Sequence, residues 1–371
     1  MNSDKMVELS PPGNFIKEEL ACRGWSQRDL AFILGQTEQQ LNPLMSGKRT
    51  ITADMARLLG SAFGVDPQLF ANLQSHYDIS RAKDPDPGVK TRAVLQGKFP
   101  IREMIRRGWI AESEGSLLEL QVSRFFEGSN DNDHESSVAF AAKRTHYVEN
   151  TPSQIAWVYR VRQIARLIDA PRYDMAKLQA LLPRLRALMI YPEAAPEATT
   201  LLRSAGVRVV IVESLPGSKI DGVCTWIADD QPVVGLSTLH DRFDNFWFVL
   251  RHEIEHVLQG HGKNSIGMID NMADQSSSSD EELMANSAAA DFGIPIQKMD
   301  SFYARKAPYF SEKDVLGFAT VNNVHPAIAV GQLQKRMGRY DYLRKYQVPV
   351  RKYLLSDVMS DGWGIVPEVH L

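Results

Sequence analysis

The chain has 371 residues, room for two or three domains at roughly 150 residues each. Hydrophobic residues make up 44% and charged residues 23%, the balance of a soluble globular chain, which excludes wholesale disorder. With 42 Lys and Arg against 45 Asp and Glu the net charge is −3, so the chain is no generic polycation and any nucleic-acid contact needs a local patch. The two cysteines, Cys22 and Cys224, form neither a disulfide framework nor a CxxC knuckle, and a reducing compartment follows. The opening MNSDKMVELSPPG holds no apolar run, and no stretch reaches about 18 apolar residues. A cytoplasmic protein with no membrane span is expected.

Residues 1–80 read as short helices separated by Gly or Asn. Ser26 and Asp29 form the S-x-x-D version of a capping box at the start of a helix, and Gly35 ends it. Leu30, Ile33 and Leu34 are expected to supply its buried face. Thr37 can cap a second helix, Glu38 to Met45, ended by Gly47, whose Leu41, Leu44 and Met45 point inward at i, i+3, i+4 spacing. Two short helices joined by a tight turn predict a helix-turn-helix. Gln39, Gln40 and Asn42 of the second helix would then offer amides to base edges, with Gln27 also at the DNA and Arg28, Lys48, Arg49 and Arg57 placed for phosphates. Two features oppose this: residues 1–80 carry seven Lys/Arg against nine Asp/Glu, and Pro43 deletes a backbone hydrogen bond inside the second helix.

The segments FIKEEL, GWSQRDLAFILG, SGKRTITADMARLLGSAFG and FANLQSHYD, with Pro12-Gly13 ahead of them, resemble HigA-type antitoxins of the Xre helix-turn-helix class. The similarity covers about residues 10–80, with Pro43 as its departure. It implies binding to double-stranded operator DNA as a homodimer, usually to repress the cognate operon.

Residues 81–91 (RAKDPDPGVKT) combine Pro, Gly and alternating charge, as a linker does. Ile155–Ile168 and Met175–Met189 have helical apolar spacing, so 81–189 is read as a linker and helical connector. Within it Arg102, Arg106 and Arg107 punctuate Ile101, Met104, Ile105 and Trp109, a pattern expected of a solvated face. Strand signals begin at Val207–Val212 and continue in Val223–Ala228 and Pro232–Leu236, with Asp229-Asp230 as a turn. Pro232–Leu236 is expected to pair with an extended peptide. Gln275–Asp280 is the most loop-like segment and a place for regulation or cutting, as is the 81–91 linker.

His252-Glu253-Ile254-Glu255-His256 spells H-E-x-x-H inside an apolar run. On a helix the two histidines lie one turn apart on one face and can share Zn2+, while Glu253, about 100° round, can take a proton from water. A chance H-E-x-x-H occurs in on the order of one in a hundred chains of this length, and paired histidines in apolar surroundings need partners. A third protein ligand must come from His261, Asp270, Asp274, Asp280, Glu281, Glu282 or Asp291. Glu282 is preferred, because Ala285 and Ala289 share its face and let two helices approach; Glu281 is next. His325, before Pro326, is a weak candidate for stabilising an oxyanion and fits a helix start better.

IDGVCTWIADDQPVVGLS, DNFWFVLRHEIEHVL, EELMANSAAADFGIP and HPAIAVGQLQ, in that order, resemble the ImmA/IrrE metallopeptidases over about residues 190–337. The resemblance implies His252, His256 and Glu282 as zinc ligands and Glu253 as general base. Met284 stands where the family has a second acid. Such peptidases act on helix-turn-helix repressors. The expected architecture is multidomain: an all-α helix-turn-helix domain (1–80), a helical connector (81–189) that spaces the functional parts, and an α+β HExxH, gluzincin-like metallopeptidase domain with C-terminal helices (190–371). The expected function is a DNA-binding regulator with a zinc endopeptidase that cleaves a repressor, antitoxin or toxin-linked partner, or itself. The alternative is a non-catalytic antitoxin or repressor whose zinc fold senses or docks.

Overall fold

The computed structural model describes residues 10–126, 151–263, 268–270 (backbone only) and 280–369. Most of the Gln275–Asp280 segment, Asp274 and the Asp270 side chain lie outside the described residues. The chain divides into two compact units, 1–86 and 87–371.

The first unit contains α1 (Pro12–Arg23), α2 (Gln27–Leu34), α3 (Glu38–Met45), α4 (Ala53–Phe63) and α5 (Pro67–Arg81). Their boundaries follow from local chemistry. The Ser26 hydroxyl accepts from the Asp29 amide while the Asp29 carboxylate accepts from the Ser26 amide, and Gly35 closes α2 in the left-handed conformation. Ile16, Leu30, Leu34, Leu41, Leu44, Leu59 and Phe70 form the core. Each contributes about 1.5–3 kcal/mol by leaving water. Gly13 sits where a Cβ would lie 2.5 Å from the Leu44 carbonyl, so α1 and the end of α3 meet backbone to backbone. The expected inner face of α2 is corrected: Ala31 is buried and Ile33 is 43% exposed, because the helix turns its Leu30–Ala31–Leu34 stripe to the core. Helix α3 runs through Pro43, with Leu44 and Met45 buried beyond it.

The second unit begins with α6 (Gly88–Lys98), α7 (Ile101–Arg106), α8 (Gly115–Phe125), α9 (Pro152–Ala165), α10 (Met175–Ala187) and α11 (Glu197–Ser204). A mixed sheet follows, built from β1 (Arg208–Val212), β2 (Gly222–Ala228), β3 (Gln231–Leu236), β4 (Met268–Asp270) and β5 (Ser360–Asp361) in the order β4-β2-β3-β1-β5. Helix α12 (Phe243–Gln259) precedes β4, and α13 (Asp280–Gly293), α14 (Ile296–Lys306), α15 (Glu312–Val321), α16 (Pro326–Met337) and α17 (Arg351–Leu354) lead to β5. Strands β2 and β3 are an antiparallel hairpin, and β1 runs parallel to β3 and β5. Pro232–Leu236 therefore lies inside the sheet with both edges occupied, so it cannot take the extended peptide expected of it.

The sheet is covered on both faces. Val209, Ile211, Cys224, Trp226, Val234 and Leu236 pack with Phe246, Trp247, Leu250 and Ile254 of α12. Val210, Val212, Val223 and Val233, one residue out of phase, pack with Ile155, Val158, Val161 and Ile164 of α9. Segment 87–189 is thus not a connector. Its helix α9 covers the second face of the sheet, while Leu178, Leu181 and Leu185 of α10 join the cluster on the α12 side. Arg160 of α9 makes a buried ion pair with Asp361 of β5 at 2.5 Å, and Trp157 Nε1 donates to the Val212 carbonyl at 3.0 Å. The solvated arginine face is corrected at Arg107, whose side chain is 8% exposed and donates to the Glu213 and Ser214 carbonyls. Among the described residues no helix is long and apolar enough to cross a membrane.

Candidate metal centre and nucleic-acid interface

Helix α12 owes its length to a continuous inner face, Phe246, Trp247, Leu250, Ile254 and Val257, and ends where Gly260 turns left-handed at φ 73°. That face carries His252, Glu253 and His256 to complete burial, each at 0% exposure. Glu255, the other acid of the motif, points away and pairs with Arg251 at 2.7 Å. Helix α13 lies against α12 through buried Ala285 and Ala289, whose small side chains let Glu282 reach across.

The Nε2 atoms of His252 and His256 are 3.0 Å apart. The Glu282 oxygens lie 3.4 Å from each of them. All three ligand atoms fall within 4.8 Å of one another. Two imidazoles and a carboxylate converging at one point could hold a metal ion. Burial raises the Glu282 carboxyl, but the neighbouring imidazoles of His252 and His256 outweigh it and hold the group well below the usual carboxylate range.

Glu253 is packed beneath strand β2. A Cβ added to Gly222 would lie 2.2 Å from Glu253 Oε1 and 2.8 Å from Val249 Cγ1, so the strand approaches the carboxylate closely only because this residue is glycine. The sequence signal for Gly222 is a glycine that opens a strand, which marks such an approach.

The other acids and histidines fall elsewhere. His261 sits at the opposite ring nitrogen of His256, with its Nδ1 2.9 Å from His256 Nδ1, and Glu281 lies 3.5 Å from His261 Nε2. Asp291 accepts from the Ile296 amide at 2.8 Å, and Asp280 stands in the first turn of α13. Met284 is 50% exposed. His325 caps α16, its Nδ1 accepting from the Ala327 amide at 3.1 Å and its ring edge-on to Phe243. Burial lowers its pKa, opposed by Glu193, so it favours the neutral form that the cap requires.

On the first unit Lys48, Arg49, Arg28 and Gln39 are exposed. Arg28 lies 3.9 Å from Glu38 in a solvated pair worth little. The other amides are engaged within the protein. Gln27 Nε2 donates to Asn42 Oδ1 at 2.6 Å, and Gln40 Oε1 accepts from the Thr37 amide at 2.9 Å as half of a capping box. Among the described residues Gln39 makes no side-chain hydrogen bond. Gln39, Gln40 and Asn42 are all exposed on α3, and the bonds of Gln40 and Asn42 occupy only their amide oxygens.

The helix-turn-helix family profile matches residues 16–70, which span α1 through part of α5. The chain is 35% identical over 82 residues to virulence-associated protein A' of Dichelobacter nodosus, 22% of this chain and 71% of that one. It is 31% identical over 93 residues to the uncharacterized HTH-type transcriptional regulator YddM of Escherichia coli, 25% of this chain and 99% of that one. It is 37% identical over 73 residues to virulence-associated protein I of Dichelobacter nodosus, 19% of this chain and 68% of that one. No solved structure matches significantly. The capped α2–α3 pair, the core beneath it and these similarities agree: the chain belongs to the helix-turn-helix transcriptional regulators, and residues 16–70 carry its DNA-binding domain.

Proposed function

We propose that the second unit is a zinc endopeptidase of the ImmA/IrrE type, so that this regulator carries a protease on the same chain. The observation that carries the reading is the meeting of His252, His256 and Glu282 within 4.8 Å, with the next residue of the helix, Glu253, buried as well. Zinc, when bound, supplies Lewis-acid chemistry and brings the pKa of water toward about 7. His252 and His256 would hold it through Nε2, and Glu282 through its carboxylate. Glu253 takes the proton of the attacking water on a carboxylate oxygen and returns it to the leaving amine. Gly222 leaves room for that carboxylate.

The first unit binds double-stranded operator DNA as a HigA-type homodimer, and the protease cuts a repressor, an antitoxin, a toxin-linked partner or the chain itself. The test is Glu253→Gln on zinc-loaded full-length protein, with its own chain and co-encoded repressors offered as substrates. Cleavage by the wild type should fall by about 10²–10⁴-fold in the variant while zinc is kept. Persistent cleavage by the variant would overturn the mechanism.

One observation favours a second reading, a repressor or antitoxin without turnover whose zinc fold senses or docks: His252, Glu253 and His256 are fully shielded from solvent. A zinc-loaded wild type that cleaves neither itself nor any co-encoded repressor, yet binds operator as tightly as Glu253→Gln, would establish it.

A further inference from the structure

We propose that His261, backed by Glu281, is a positioning residue that fixes the tautomer and orientation of His256; this rests on the metal reading above. A neutral imidazole carries one N–H. For His256 to offer a lone pair at Nε2, its proton must sit on Nδ1, and that N–H needs an acceptor. His256 is 0% exposed, so bulk water cannot serve. The atom at hand is His261 Nδ1, 2.9 Å away. Accepting there places the His261 proton on Nε2, which faces Glu281 Oε1 at 3.5 Å. The hydrogen bond then runs from His256 to His261, with the Glu281 carboxylate near the far ring nitrogen of His261.

The opposite direction contradicts a metal centre. If His261 Nδ1 donated to His256 Nδ1, the His256 proton would stand on Nε2, between His252 Nε2 and Glu282, where the ion belongs.

The backbone holds His261 for this task. Gly260 turns left-handed, and the His261 amide donates to the His256 carbonyl at 2.9 Å, which folds the chain back over the end of α12. The His261 carbonyl accepts from Trp226 Nε1 at 2.7 Å and Cys224 Sγ at 3.6 Å, both from β2. The side chain is 19% exposed, whereas Glu281 is 50% exposed. Glu281 is therefore the weaker member of the relay.

The experiment measures zinc affinity of the full chain by competition with a chromophoric chelator, for wild type, His261→Leu, His261→Asn and Glu281→Gln. His261→Leu removes the acceptor and should weaken zinc binding by about 10–100-fold. Asn places an oxygen near the position of Nδ1, so His261→Asn should stay within a few-fold of wild type, and Glu281→Gln likewise. Equal zinc affinity in wild type and His261→Leu overturns the proposal, as does a loss in His261→Asn as large as in His261→Leu. A wild type that binds no zinc instead sinks the metal reading itself. Should His261→Leu fail to fold, nitrogen NMR of histidine-labelled, zinc-loaded wild type decides. The expected result is a proton on Nδ1 of His256 and on Nε2 of His261; the reverse tautomer of His261 overturns the proposal.

Discussion

Helices α3 and α12 both carry polar side chains at helical spacing, and the two sets end in different surroundings. On α3 the amides are exposed, and two of them bond locally: Gln40 caps its own helix and Asn42 takes the Gln27 amide. On α12 the histidines are fully buried, and the groups that meet them come from other parts of the chain, Glu282 on α13 and His261 beyond Gly260. An exposed amide can satisfy itself with its own backbone or with water, so spacing alone does not say what it reads. A buried imidazole pair has no such outlet, and the fold must bring partners to it. The difference is one of solvent: burial obliges the fold to gather partners around the two histidines, and exposure makes no such demand on the amides of α3.

The largest effect that could break this comparison is at Gly222. Gly222→Ala should displace the Glu253 carboxylate and lower cleavage by about 10²-fold, the cost of a displacement near 1 Å, with zinc content unchanged. Full activity in that variant would show that the close approach of β2 is dispensable.

The amides sharpen the other side. Gln39→Ala should cost about 1–3 kcal/mol of discrimination between operator and altered operator. Gln40→Ala should instead cost about 0.5–1.5 kcal/mol of unfolding free energy by removing the acceptor of the Thr37 amide, with discrimination nearly kept. Reversal of the two would mean that DNA pulls Gln40 out of its capping box. Lys48→Ala and Arg49→Ala should each weaken binding evenly across sequences and reduce the salt slope by about 1.

The smallest effect concerns His325. Its folded-state pKa lies below 6.5, mainly because burial disfavours the cation. The unfolded chain then binds the proton more readily, so stability present at neutral pH is lost as pH falls through about 6.5. His325→Asn keeps a cap that does not titrate. Urea midpoints of the two proteins should diverge between about pH 7.5 and 5.5, with the wild type losing more; parallel curves would contradict the assignment.

Much of the local structure was legible. The hairpin of β2 and β3, the capped helices α2 and α3, and the face of α13 that carries Glu282 all follow from short-range pattern. The role of residues 87–189 was not, yet a signal existed. Strand β1 is buried at every position, and such a run needs cover on both faces, which α12 alone cannot give. Helix α9, read as part of a spacer, supplies that cover. Strands β4 and β5, three and two residues long, are below what any periodicity can mark. Ile33 and Arg107 were misplaced for a related reason, since helical spacing gives the width of a buried stripe but not its rotation against neighbours.

Metal content per chain, measured for wild type and Glu282→Ala, tests the central claim most directly. The account predicts near one zinc in the wild type, lost in the variant. No metal in carefully prepared wild type would contradict it and leave a DNA-binding regulator without a metal centre. Zinc retained by Glu282→Ala would contradict the ligand set drawn from α12 and α13.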